Sequence, residues 1–146
     1  MRPDEVVPRD TTPVIPKRVL VVDDNPDIGE CVCDIMTVLG HESRWARDGQ
    51  AAIKLAAQFE PHVVFLDIGL PDLTGHDVAV ALRRAADGRP LLIVALTGWG
   101  QAEDRWRSYQ AGMDLHLVKP AGLDTLRGVV GEVPSSRKRL ARRSSC

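Results

Sequence analysis

Short, continuously apolar runs alternate along the chain with longer stretches in which apolar residues return every three or four positions. Val19-Leu20-Val21-Val22, Val63-Val64-Phe65-Leu66 and Leu91 to Ala95 are the continuous runs, the pattern of strands buried on both faces. His41 to Ala46 and Asp114 to Val118 have strand length but mixed character. His41-Glu42-Ser43-Arg44 is polar and Leu115-His116-Leu117 alternates, so each predicts an edge strand. Between the runs lie apolar stripes of helical period: Ile28, Cys31, Ile35 and Leu39; Ala52, Leu55, Ala56 and Phe59; Val78, Ala81, Leu82 and Ala85. Each stripe is one face of an amphipathic helix. The first has Asn25 as its cap and Pro26 in its first turn, and stops before Gly40. Two more helices are expected from about Gln101 to Gly112 and from about Gly122 to Val130.

Five strands alternating with five helices predict an α/β fold with a parallel sheet. Right-handed crossovers, with strands two and five at the edges, give the order 2-1-3-4-5, that of a doubly wound, flavodoxin-like domain. The domain should occupy residues 17–133. Ahead of it, residues 1–16 hold Pro3, Pro8, Pro13 and Pro16, too closely spaced for a helix or a central strand; a flexible arm is expected. Behind it, residues 134–146 carry Arg137, Lys138, Arg139, Arg142 and Arg143 without an acid, which reads as a solvated, disordered basic tail. The overall charge of -1 therefore conceals an acidic body and a basic end.

Composition narrows the function classes. With 146 residues, 44% hydrophobic and 27% charged, one soluble domain is expected. Aromatics at 4% leave few platforms for stacking single-stranded nucleic acid. No apolar run approaches the roughly 20 residues of a membrane span, and Met1-Arg2-Pro3-Asp4-Glu5 lacks a signal peptide's apolar stretch, so a cytoplasmic location is expected. Three cysteines cannot build a disulfide framework, and Cys31 and Cys33 fall on different helix faces. Reduced thiols are expected.

The chemistry gathers where strands end. In a doubly wound sheet, ligands bind beyond the carboxyl ends of the strands at the switch point, here between strands one and three. Strand one ends in Asp23-Asp24, strand three in Asp67, strand four in Thr97 and strand five in Lys119-Pro120. Three adjacent carboxylates repel unless a cation or a proton neutralises them. Mg²⁺ suits the problem: it takes about six oxygens and keeps several waters. Two or three carboxylates and one backbone carbonyl, assigned to Gly69, would leave positions for a phosphoryl oxygen. Lys119 supplies a cation and Thr97 a hydroxyl, a set shaped for a tetrahedral anion.

The chain resembles a receiver domain of two-component response regulators, in particular those associated with hybrid histidine kinases. The resemblance covers residues 17 to about 131. It rests on Val-Leu-Val-Val-Asp-Asp-Asn at 19–25, Val-Val-Phe-Leu-Asp-Ile-Gly-Leu-Pro at 63–71 with Gly75, Ala-Leu-Thr-Gly at 95–98, and Gly-Met-Asp-Leu-His-Leu-Val-Lys-Pro at 112–120. The resemblance implies that Asp67 is the phosphoacceptor, Asp23 and Asp24 the acidic Mg²⁺ pair, Thr97 the switch hydroxyl and Lys119 the phosphate-sensing lysine. It implies a histidine kinase or histidine phosphotransfer protein as partner, and Lys119–Pro120 is similar to the family's cis peptide. Two positions depart from the pattern: His116 stands where the family often has Tyr or Phe, and Ala121 where it often has Phe.

Read singly, His116 is a partly exposed edge-strand residue, and Trp45, Trp99 and Trp106 are packing groups, with Trp99 near the site mouth. Other classes fit less well. A haloacid-dehalogenase-type phosphohydrolase would resemble a pattern with a second Asp two residues after its nucleophile, where this chain has Gly69. A nucleotide hydrolase would need a phosphate-binding loop that Gly98-Trp99-Gly100 is too short to supply. The 13 residues after Val133 cannot form a helix-turn-helix, which argues against nucleic acid as a partner. The sequence thus predicts a phosphoacceptor switch, not an enzyme with a separate substrate, whose output is protein contact with a downstream partner left open. The alternative is a scaffold of the same fold that binds partners without phosphorylation.

Overall fold

The computed structural model describes residues 15–98, 112–119 and 121–132. The expected leader up to residue 14, Trp99, residues 101–111 of the helix expected from about Gln101 to Gly112, Pro120 and the basic tail lie outside the described residues. Five parallel strands, β1 (Arg18–Val22), β2 (Glu42–Ala46), β3 (Val63–Asp67), β4 (Leu92–Thr97) and β5 (Leu115–Val118), form one sheet. Their order is β2-β1-β3-β4-β5, as the run lengths predict. Four described helices accompany them: α1 (Pro26–Val38), α2 (Gly49–Phe59), α3 (Gly75–Ala86) and α4 (Leu123–Gly131).

The alternation of side chains along each strand splits the core in two. Leu20, Val22, Val64, Leu66, Ile93 and Ala95 face α2 and α3, meeting Ala52, Ala56, Val78 and Leu82. Their neighbours Val19, Val21, Val63, Phe65, Val94 and Leu96 face α1 and α4, meeting Val32, Met36, Leu126 and Val130. β3 and β4 are buried along their whole length, whereas β2 and β5 alternate or remain half-exposed. Central and edge strands therefore fall where continuous and mixed runs predict them.

Local signals set the element ends. Asn25 caps α1 by accepting the Asp27 N–H, with Pro26 in the first helical position. Asp48 and Thr74 cap α2 and α3 through Ala51 and Asp77. At the sheet's amino end, the Arg83 guanidinium on α3 donates to the carbonyls of Gly112 and Leu91 and to the Asp114 carboxylate. Asp114 in turn accepts the Ile93 N–H at 2.8 Å. One planar fork thus ties α3 to the starts of β4 and β5. β4 extends two residues beyond the expected Ala95, carrying the ladder as far as Thr97.

Candidate functional site

Register brings the acidic residues together. Val22 on β1 pairs with Leu66 on β3, so Asp23 and Asp67 leave adjacent strands at one level. Ligand oxygens from Asp23, Asp24 and Asp67 all lie within 4.8 Å of one another. Asp23 and Asp67 are buried and Asp24 is exposed. Lys119, one residue beyond β5, reaches back across the sheet end: its Nζ lies 3.0 Å from Asp23 Oδ2 and 3.3 Å from Asp67 Oδ2. Three carboxylates with one ammonium leave two negative charges, the deficit that one divalent cation fills, and an all-oxygen donor set is what a hard cation such as Mg²⁺ takes. The residues present fit such an ion.

Electrostatics follow the same geometry. Burial raises the Asp67 carboxyl above its ordinary range and Asp23 pushes it the same way, while the Gly69 N–H and Lys119 partly oppose them. For Lys119, burial is the largest single influence and acts downward. The pairings with Asp23 and Asp67 together outweigh it and raise the ammonium above its usual value. Lys119 is therefore held charged beside a carboxylate that resists charging.

The β3–α3 loop is shaped around Asp67. The Gly69 N–H donates to Asp67 Oδ1 at 2.9 Å, and a side chain at Gly69 would begin 3.6 Å from that oxygen. Farther along, Asp72 accepts the N–H groups of Gly49 and Gln50 at 2.8 and 2.9 Å, fastening the loop to the α2 amino terminus. These bonds hold the Asp72 carboxyl below its ordinary range. Gly75 closes the loop: a Cβ there would lie 2.4 Å from the Ile68 Cα, so only glycine permits this approach.

Thr97 ends β4, 1% exposed, and its carbonyl accepts the Lys119 N–H at 2.7 Å. Its hydroxyl lies 2.8 Å from His116 Nε2. Ala95 pairs with His116 and Thr97 with Val118, so this is a diagonal contact on one sheet face. His116 is half-buried. It is thus the partly exposed edge-strand residue expected, and the register also aims the ring along the sheet at the threonine. Trp45 also does more than pack: its Nε1–H donates to the Asp23 carbonyl at 2.8 Å. Neither contact has a signature in spacing, since both depend on which strands become neighbours.

Residues 19–131 match the family model of the response regulator receiver domain. The transcriptional regulatory protein KdpE of Mycobacterium tuberculosis is 37% identical over 106 residues, 73% of this chain and 46% of that protein. The DNA-binding dual master transcriptional regulator RpaA of Synechocystis sp. is 31% identical over 109 residues, 75% of this chain and 45% of that protein. The chain spans about half the length of the curated relatives it matches. Among solved structures, the Vibrio cholerae chemotaxis protein CheY4 superposes with a TM-score of 0.75 at 28% identity, covering 82% of this chain and 100% of that one. NtrX from Brucella abortus gives 0.78 at 30% identity, covering 90% of this chain and 30% of that one.

Proposed function

The chain belongs to the response regulator receiver family, and from that premise we propose that it is a phosphorylation-controlled switch whose phosphoacceptor is Asp67. The observation that carries this reading is the Asp23, Asp24 and Asp67 cluster with Lys119 bridging two of its members. A carboxylate oxygen of Asp67 attacks the phosphorus of a phosphohistidine on a histidine kinase or phosphotransfer protein. The P–N bond breaks, the imidazole leaves, and an acyl phosphate remains on Asp67. Asp23, Asp24, Asp67 and the Gly69 carbonyl would hold Mg²⁺, which supplies charge neutralisation at the phosphoryl oxygens.

The chain's own groups do the remainder. Lys119, already charged and facing Asp67, stabilises the incoming dianion. Thr97 donates its hydroxyl to a phosphoryl oxygen, which requires it to leave His116. Because the Lys119 N–H is bonded to the Thr97 carbonyl, the ends of β4 and β5 respond together, and a shift between two packings there changes the surface offered to a protein partner. Incubation with acetyl phosphate and Mg²⁺, followed by intact-mass measurement, tests the assignment. One phosphoryl addition is expected in the wild type and none in Asp67→Asn; addition that persists in the variant overturns it.

A further inference from the structure

The acidic pair is held from β2. Trp45 sits in β2 opposite Val21, half-buried, and its indole reaches past the end of β1. There the Nε1–H donates to the Asp23 carbonyl at 2.8 Å. On the other side of the same residue, the Asp23 N–H donates to the Ala46 carbonyl at 3.1 Å. Two consecutive β2 residues thus clamp both backbone polar groups of Asp23. The side chain is fixed as well, with Oδ1 accepting the Asn25 N–H at 3.0 Å and Oδ2 paired with Lys119.

A second observation shows that the indole's position is built in. Gly29 on α1 lies directly beneath it: a Cβ there would stand 2.4 Å from Nε1, 2.6 Å from Cδ1 and 2.7 Å from Cε2 of Trp45. Real Cβ contacts do not come this close, so the pyrrole edge occupies space that any residue other than glycine would claim. The carbonyl held by the indole belongs to the peptide joining Asp23 to Asp24. Asp24 is the exposed member of the cluster, the one whose carboxylate would otherwise have to be gathered at an entropic cost.

We propose that Trp45, seated on Gly29, is a positioning residue for the divalent-cation site: it fixes the Asp23–Asp24 peptide and so presents both carboxylates in advance of the ion. This rests on the reading of Asp23 and Asp24 as the cation-holding pair. Pre-arranged ligands bind more tightly because less ordering remains to be done. Losing the indole N–H should weaken Mg²⁺ binding by about threefold to tenfold, the worth of one hydrogen bond.

Calorimetric titration of the full chain with Mg²⁺ tests this in wild type, Trp45→Phe, Gly29→Ala and Asp24→Asn, without reference to phosphorylation. Weaker binding in both Trp45→Phe and Gly29→Ala is expected, with Asp24→Asn weaker still. Affinities within twofold of wild type in the first two, while Asp24→Asn is impaired, overturn the role of Trp45 and leave the site reading standing. Wild-type affinity in Asp24→Asn overturns the site reading and this proposal with it. Should Trp45→Phe not fold, a Trp99→Phe, Trp106→Phe double variant leaves Trp45 as the sole tryptophan, excited selectively beyond the absorption of Tyr109. Its emission should change as Mg²⁺ saturates the protein; emission that stays constant overturns the proposal.

Discussion

Burial at the end of β3 raises the Asp67 carboxyl, with Asp23 adding to the effect, so ionisation of this side chain costs the folded state more than the unfolded one. An acid whose folded pKa is raised contributes stability while protonated, fully present below its unfolded pKa and lost as pH rises through the folded value. At neutral pH the cost is therefore standing. Asp67→Asn keeps the acceptor for the Gly69 N–H and removes the charge, so in the absence of Mg²⁺ its melting temperature should exceed that of wild type by a few degrees, the response to about 1 kcal/mol in a domain of this size. Mg²⁺ should raise the wild-type melting temperature but leave the variant's nearly unchanged. A variant that melts lower than wild type would show that the Lys119 pairing outweighs burial at this residue.

At the scale of elements, the amino end of β1 is bordered by two imidazoles. His41 Nδ1 accepts the Lys17 N–H at 3.1 Å and His62 Nδ1 accepts the Arg18 N–H at 2.8 Å, which requires both rings to be neutral. Burial lowers both pKa values; Lys17 adds to the effect on His41, and Arg18, Lys17 and Arg89 add to that on His62. A depressed His contributes stability above its unfolded pKa, about 6.5, and loses it as pH falls from there toward the folded value. The melting temperature should drop between pH 7 and pH 5, and this slope should shrink in the His41→Gln, His62→Gln double variant, whose amides accept the same bonds at any pH. An unchanged slope would place the acid sensitivity elsewhere. These imidazoles also mark what the sequence makes legible. Val19 to Val22, Val63 to Leu66, the Asn25-Pro26 start and the strand-end Asp23, Asp67, Thr97 and Lys119 each carry a local pattern, and the fold places all of them as read. The bonds from Trp45 to the Asp23 carbonyl, from Asp72 to the α2 amino terminus and from Arg83 to the Gly112 carbonyl join residues 22 to 29 apart. Their backbone partners carry no residue identity to read.

Across the whole molecule, the sheet end is tied together because Lys119 and the Thr97 hydroxyl both have partners on neighbouring strands. Lys119 is shared between Asp23 and Asp67, and the Thr97 hydroxyl is engaged by His116. On the proposal that Asp67 is the phosphoacceptor, its phosphorylation would draw both away, and the free energy of those lost contacts would be subtracted from what the new ones supply. On that proposal His116 would set part of the threshold for switching. Replacing it with Phe keeps a ring on β5 but removes the hydrogen bond, so Thr97 turns toward the phosphoryl group without first losing a partner. Since one such bond contributes about 0.5–1.5 kcal/mol, phosphorylation of His116→Phe by acetyl phosphate should proceed about two- to tenfold faster than in wild type. The gain must pass through the threonine: in a Thr97→Val background the same His116→Phe change should alter the rate by less than about twofold, the signature of two residues acting on one step. If His116→Phe accelerates phosphorylation equally with and without the Thr97 hydroxyl, His116 acts on the site by another route, through the packing of β5 itself.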